Sequence, residues 1–280
     1  MKDSVSPSTG NPFGRPRLRK SPQNCPMCLV ALAWKTHPRW RLLLAGNRDE
    51  AHARPTAALA RWAGPDGLFA GRDLLSGGTW MGLDALGRCA VVTNVRNGFA
   101  KPTSGPSRGQ LPVGFLGDTD SADAMADALP AQAPAFAPFN LLLADADACR
   151  YVGNHPQAKT RRIEPGIHGL SNGEFDAPWP KTRRLRETLR AWISIDAEDL
   201  QPLWNALADE SIAPDTELPD TGVGIEWERQ LSPAFIRGET YGTRASTLIA
   251  IDHAGRGFIH ERRFGPNGVF LGETVLRNDA

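Results

Sequence analysis

The apolar positions of this chain fall mostly into short runs separated by turn residues, a pattern typical of strands. A hairpin is predicted at Leu29–Trp34 and Trp40–Ala45, because the polar turn KTHPR lies between the runs CLVALAW and WRLLLAG. A second hairpin is predicted where the turn DALG joins TWMGL to RCAVVTNV. Two further apolar runs, 139–145 and 246–252, have the length of buried strands.

Helical spacing is rarer and is clearest in the second half of the chain. A helix is predicted over Pro180–Trp192, which begins with a proline suited to the first helical position. A second helix is expected after Asp196, which would be its cap, and 121–129 is a weaker third. Residues 211–240 contain many prolines and glycines and predict a long irregular connection of the kind that often carries function. The two later helices would bury Leu185, Leu189 and Trp192, and Leu200, Leu203, Trp204 and Leu207.

The number of hairpins favours an α+β fold with antiparallel sheet over a doubly wound parallel fold. The chain has 280 residues, of which 41% are hydrophobic, so it can bury a sizeable core. Residues 1–26 are predicted to form a disordered tail, either propeptide-like or upstream of the true start, because this segment is rich in Pro, Ser, Gly and Arg. Residues 27–280 are expected to form a single domain.

Composition excludes several classes of protein. The net charge is +1 at pH 7, which gives no reason to expect nucleic acid as a partner. No apolar stretch is long enough to span a bilayer, so we expect a soluble protein without a transmembrane segment. The chain has 4 cysteines, too few for a disulfide scaffold, and a cytoplasmic location is expected. Its 6 histidines lack metal-ligand spacing, so no metal site is predicted.

The stretch NCPMCLVAL contains Cys25 and Cys28, three positions apart. A redox pair should open a helix, whereas here Cys28 opens a predicted strand. A zinc site needs four ligands, and no second pair completes one. The CxxC interpretation is therefore disfavoured.

A second interpretation makes Cys28 the residue that follows an initiator methionine, Met27, which would be removed because a small residue follows it. The α-amine of Cys28 would then have a reference pKa of about 7.7–8.0 and the thiol about 8.5. Such an amine can accept the thiol's proton, so one residue supplies both nucleophile and base. The alternative is a small buried residue on an edge strand, and the sequence leaves both open.

The second strand of the same hairpin ends in AGNRDE, which includes Asn47, Arg48 and Asp49. A hairpin places this end opposite Cys28, where an arginine would favour a thiolate and a carboxylate could hold the α-amine. Residues 48 and 49 are adjacent and should point to opposite faces of the strand, so only one of them is expected to reach Cys28 directly. The alternative is a solvated ion pair at a hairpin exit.

Three more polar residues follow or precede apolar runs. Asn94 and Asn172 lie where side-chain amides could donate to a developing oxyanion, although such asparagines ordinarily satisfy turns. Arg244 precedes a buried strand and could bind a substrate carboxylate or support the site, or it could simply extend its charged end to solvent. The cluster KTRRLRE (181–187) is predicted to be the solvated face of its helix.

An ordered set of these motifs resembles the NRDE family, also called the transport and Golgi organisation type 2 family or DUF833 group. The set runs collinearly over roughly residues 27–264 and comprises Met27-Cys28, AGNRDE, GGTWMGL, VVTN, SRGQLP, FNLLL, HGLSN…PWPK and EWERQLS…YGTRASTLI…ER. The resemblance implies the four-layer αββα sandwich of the N-terminal nucleophile hydrolases. It implies that Cys28 is the nucleophile, Arg48 and Asp49 the charged pair and Asn172 the oxyanion asparagine. It also suggests binding roles for Asn94, Arg244 and Asn47.

Two functions follow from this resemblance as expectations. The first is a cysteine hydrolase that cleaves a small-molecule non-peptide amide or thioester through an acyl-enzyme on Cys28, without a cofactor. The second is a protein that binds haem or another amphipathic ligand in the same cleft, with haem as transported cargo.

Overall fold

The computed structural model describes residues 27–63, 67–98 and 105–278, which form two stacked antiparallel sheets. The first sheet has the strand order β10-β1-β2-β11-β12-β13, and the second runs from β3 to β9 in chain order. The strands of the first sheet are β1 (Met27–Trp34), β2 (Trp40–Ala51), β10 (Gly166–Leu170), β11 (Tyr241–Asp252), β12 (Gly257–Phe264) and β13 (Phe270–Arg277). Those of the second are β3 (Thr56–Arg61), β4 (Phe69–Asp73), β5 (Met81–Leu83), β6 (Cys89–Asn94), β7 (Phe139–Ala144), β8 (Cys149–Gly153) and β9 (Lys159–Arg162).

Side-chain alternation along β1 and β2 divides the first sheet into an inner and an outer face. Val30 and Leu44 point inward, toward the second sheet, and belong to the core between the sheets. Leu29 and Leu43 point outward and pack against helices. The strands are buried on both faces and therefore have nearly continuous apolar runs. The inner core also contains Leu32, Trp34, Leu42, Phe69, Met81, Leu83, Val91, Leu142, Tyr151 and Ile249.

Helices cover both outer faces. On the first sheet, α3 buries Leu185, Leu189 and Trp192, which recur at helical spacing. On the second sheet, the helix α1 (Gln110–Leu116) buries Leu111 and Phe115. The result is the predicted four-layer αββα sandwich. The helices are α1 (Gln110–Leu116), α2 (Ala122–Ala128), α3 (Pro180–Ser194), α4 (Gln201–Leu207) and α5 (Ile225–Gln230).

The structure confirms both predicted hairpins, the predicted strands and the helices at α2 and α3, and corrects two other predictions. Asp196 does not cap α4, whose cap position is Leu200. Asp196 instead has a φ of 47° and places its carboxylate 3.2 Å from Nε2 of His37. The connection 211–240 is not irregular throughout, because it contains α5.

Two of the sequence expectations concern membranes and metals. None of the helices in the described ranges is long and apolar enough to cross a bilayer. Across those same ranges, no three His, Cys, Asp or Glu side chains converge as metal ligands would. The predicted tail, residues 1–26, lies outside the described residues and includes Cys25.

Candidate functional site

Cys28 lies at the start of β1 and is paired in register with Arg48 of β2. Residues directly opposite each other in an antiparallel pair share a face. The guanidinium of Arg48 lies 4.4 Å from the ring of Trp80, on the inner side of the sheet. Nη1 of Arg48 donates a hydrogen bond of 3.3 Å to Oγ1 of Thr56, and Arg48 is only 5% exposed. The β1–β2 hairpin therefore places the buried Arg48 on the same face of the sheet as Cys28.

Asp49 points to the opposite face of the same strand. Its Oδ1 accepts a hydrogen bond of 2.5 Å from Oγ1 of Thr243, its register partner on β11. Its Oδ2 is buried and has no hydrogen-bond partner among the described residues. The main chain of Asp49 pairs with that of Met27, the residue before Cys28. The side chain of Asp49 thus lies on the outer face of the sheet, whereas that of Arg48 lies on the inner face, as the alternation of adjacent residues requires.

Lys181 lies on the same outer side, in the first turn of α3. The side chain is 2% exposed and its Nζ donates a 2.9 Å hydrogen bond to the carbonyl of Leu231. Burial lowers the pKa of Lys181 and raises that of Asp49, and each charge opposes the shift of the other. The prediction that residues 181–187 form a solvated face is therefore wrong for Lys181 and Thr182, both of which are buried.

Asn172 and Ser171, which follow β10, hold the main chain of Cys28 on both sides. The amide nitrogen of Cys28 donates to Oδ1 of Asn172 at 3.3 Å, and Oγ of Ser171 donates to the carbonyl of Cys28 at 2.8 Å. Nδ2 of Asn172 donates to the main-chain oxygen of Asn94 at 2.8 Å. The predicted role of Asn172 at an oxyanion stays a prediction, because here its amide is directed at the nitrogen of Cys28 and at Asn94.

A buried ion pair borders this region. Arg96 and Glu228 are each 3% exposed at the side chain and meet at 2.8 Å. The guanidinium of Arg96 also lies 4.9 Å from the ring of Trp179, and its main-chain nitrogen donates to the carbonyl of Asn172 at 2.7 Å. The pair therefore ties α5 to the segment that positions Asn172.

Asn47 on β2 and Arg244 on the neighbouring strand β11 make supporting contacts. Nδ2 of Asn47 donates to the carbonyls of Leu207 and Ala234, both at 2.8 Å, and so joins β2 to the helical layer. Nη1 of Arg244 donates to the carbonyls of Ala51 and Arg54, at 3.0 and 2.8 Å, and so fixes the chain after β2. The binding roles predicted for both stay predictions.

The thiol of Cys28 is strongly biased toward its neutral form. Burial, and after it the negative charge of Asp49, raise the pKa of Cys28 to about 12, against the opposing effect of Arg48. A nucleophilic role at neutral pH therefore needs a base beside the sulfur. While Met27 is attached, the nitrogen of Cys28 is an amide and cannot be that base.

Sequence reasoning missed five residues of this region, and the signal for one of them was present. Lys181 lies four positions before Leu185, on the same helical face as the residues that were correctly predicted to be buried. Ser171, Thr243 and Glu228 lie within the family motifs, but no pattern assigned a role to them or to Arg96, the partner of Glu228.

Solved structures share the fold of this chain. A variant of the conjugated bile acid hydrolase from Clostridium perfringens matches with a TM-score of 0.53 and 9% identity, over 89% of this chain and 92% of that chain. The penicillin V acylase from Agrobacterium tumefaciens matches with a TM-score of 0.51 and 12% identity, over 89% and 85%. The chain therefore has the fold of the N-terminal nucleophile hydrolases.

Its family is equally clear. The model of the family described as Transport and Golgi organisation 2 matches residues 27–266, so the chain belongs to that family. The mouse homologue is 28% identical over 260 residues, which cover 84% of this chain and 92% of the mouse protein. The Drosophila melanogaster protein is 24% identical over 278 residues, which cover 86% of this chain and 95% of its own length. The family resemblance inferred from the motifs is confirmed.

Proposed function

We propose that this chain, once its N-terminus lies at Cys28, is a cysteine hydrolase that acts on a small-molecule non-peptide amide or thioester. The observation that supports the proposal is the placement of Cys28. It opens the first strand of an N-terminal nucleophile fold, directly opposite Arg48, with its nitrogen held by Asn172. A reducing compartment such as the cytoplasm suits this chemistry because it keeps the thiol free.

The reaction begins with proton transfer within one residue. The free α-amine of Cys28 accepts the thiol's proton, and the sulfur attacks the substrate carbonyl carbon to give a tetrahedral oxyanion. The C–N or C–S bond to the leaving group then breaks, and the leaving group takes the proton from the α-ammonium. This leaves a thioester on Cys28. Water, deprotonated by the same amine, hydrolyses that thioester and restores the thiol and the amine.

The surrounding groups have distinct parts in this scheme. Oδ1 of Asn172, which accepts from the amide nitrogen now, orients the lone pair of the α-amine after processing. The positive charge of Arg48 favours the developing thiolate. The amide groups of Asn172 and Asn94 are the candidate donors to the oxyanion.

A thiol-reactive acyl probe tests the proposal in a chain that begins at Cys28. We expect the probe to label Cys28, as read by peptide mapping, and we expect Cys28→Ala to lose the label. The matched controls are Cys89→Ala and Cys149→Ala, since both thiols are free, buried and shifted by burial to a raised pKa. Labelling that persists in Cys28→Ala, or that favours Cys89 or Cys149, contradicts the proposal.

Binding of haem or another amphipathic ligand is the second candidate function, and one cavity supports it. The cavity has a volume of about 630 Å³ and is walled by Trp40, Trp192 and Phe258, with His37 among the other lining residues. It lies at the β1–β2 turn, roughly 20 Å along the hairpin from Cys28, and is therefore a different site from the cleft at Cys28 in which the ligand was expected. Aromatic walls of this kind suit a flat apolar ligand with a polar edge.

Haem titration tests this second candidate. We expect a saturable shift of the Soret band that survives Cys28→Ala and that needs at least about ten times more haem in Phe258→Ala, because one wall of the cavity is then removed. A shift that does not saturate, or that is unchanged in Phe258→Ala, rules out this cavity as the ligand site.

A further inference from the structure

Lys181 occupies a position where the fold works against a positive charge. It is the second residue of α3, after Pro180, and the first turn of that helix contains no acidic residue. The N-terminal turn of a helix stabilises anions and disfavours cations. Burying an ammonium group costs further free energy unless it is paired. A lysine that is 2% exposed at this position therefore needs an electrostatic partner.

Titratable groups on four segments act electrostatically on Lys181. They are Asp49 on β2, Cys28 on β1, Glu228 on α5 and Arg96 after β6. Glu228 already binds Arg96 at 2.8 Å, and Arg96 repels Lys181. Among these groups Asp49 attracts Lys181 most strongly. Asp49 is therefore the carboxylate whose negative charge Lys181 stabilises.

One carboxylate oxygen of Asp49 can accept a further hydrogen bond. Its Oδ1 is bonded to Thr243, while its buried Oδ2 has no hydrogen-bond partner in the described part of the chain. Asp49 is the register partner of Met27, so the amine that forms when Met27 is removed is created beside it. The other charged groups around Asp49 are Arg48, which attracts it, and Glu50, which repels it.

We propose that Lys181 is a positioning residue, whose buried ammonium keeps Asp49 ionised so that Asp49 can hold the α-ammonium of Cys28 formed by proton transfer from the thiol. The proposal rests on the proposed function, since it requires Cys28 to be the N-terminal residue. Lys181 acts mainly through Asp49, because its direct electrostatic effect on the Cys28 thiol is smaller than those of Asp49, Arg48 and Glu50.

The direction of the pH effect follows from these charges. Burial raises the pKa of Asp49, and Lys181 opposes that rise more than any other group. When the charge at position 181 is removed, the pKa of Asp49 rises further, and the carboxylate becomes neutral at a higher pH. Neutral Asp49 no longer opposes the thiolate of Cys28, but it also no longer binds the α-ammonium, and we expect the second effect to be larger because Asp49 lies beside the amine. Proton transfer from the thiol to the amine is then disfavoured at neutral pH and recovers only in more alkaline solution.

The experiment measures the rate at which iodoacetamide alkylates Cys28, as a function of pH, in the chain that begins at Cys28. In Lys181→Met we expect the acid limb of the profile to move up by about one pH unit or more, which is a loss of about tenfold at fixed neutral pH. Lys181→Arg keeps the charge and should restore the profile. Arg183→Met, which removes an exposed cation from the same helix, should leave the profile unchanged.

The double variant Asp49→Asn/Lys181→Met guards against misfolding, because removing both buried charges is better tolerated than removing one. It should match Asp49→Asn alone. A Lys181→Met profile that is scaled down equally at every pH, or an additive loss in the double variant, overturns the proposal for Lys181. If the unprocessed and processed chains are alkylated at the same rate, the proposed function itself fails, whatever Lys181 does.

Discussion

A residue left in front of Cys28 is expected to reduce acylation of its thiol at neutral pH by at least about a hundredfold. General base catalysis typically contributes 10²- to 10⁴-fold, and the base in this scheme is the α-amine of Cys28 itself. When a residue precedes Cys28, that nitrogen is an amide with no basic lone pair. The thiol then keeps a pKa of about 12, and almost none of it is thiolate at neutral pH.

Two chains that differ by one residue make the comparison. The first begins at Met27 and loses that methionine, and the second has an alanine inserted between Met27 and Cys28. The described strands of both sheets lie within residues 27–277, so both chains retain the whole sandwich. Intact mass establishes each N-terminus, and the rate of Cys28 acylation is measured with the same probe. Equal rates in the two chains would show that the amine is not the base.

Loss of the negative charge at Glu228 is expected to lower the free energy of unfolding by about 3 kcal/mol or more. Glu228→Gln keeps the shape of the side chain but removes the carboxylate that faces the buried guanidinium of Arg96. Breaking one side of a buried ion pair typically costs about 3–5 kcal/mol, because the other charge stays buried. The measurement is denaturant unfolding of the two proteins under the same conditions.

The chain offers a matched control for this prediction. Glu210 and Arg237 are likewise a carboxylate–guanidinium pair, but their side chains are 45% and 51% exposed. Glu210→Gln should therefore cost less than about 1 kcal/mol. Similar losses in the two variants would mean that burial of the Arg96–Glu228 pair does not determine its strength.

Many strands and helices of the sandwich could be predicted from local pattern, because each follows from the spacing of apolar residues within a short segment. The hairpin of β1 and β2 is an example, since a short polar turn between two apolar runs leaves one antiparallel arrangement. Its register also brings Arg48 opposite Cys28. The cap expected at Asp196 failed because α4 begins only at Gln201, so Asp196 lies in the connection after α3, where it approaches His37.

Several residues of the candidate site could be predicted from the sequence, but the contacts between them could not. The pattern identified Cys28, Arg48, Asp49 and Asn172 as residues of interest, yet it could not show that Asn172 binds the nitrogen of Cys28 across 144 positions. Burial of Lys181 was within reach of the pattern. A charged residue is conventionally assigned to solvent, and the helical spacing from Leu185 was outweighed by that assumption.

By itself the sequence determined the nucleophile candidate, the first hairpin, and the separation of Arg48 and Asp49 onto opposite faces. Each of these depends on residues that are adjacent in the chain or joined by one turn, where backbone geometry leaves few alternatives. Only the tertiary structure decided that the buried Lys181 acts electrostatically on Asp49, and that Asn172 and Ser171 hold the main chain of Cys28. Those contacts join elements separated by more than 130 positions, and they arise because both faces of one sheet must be covered to bury its apolar side chains.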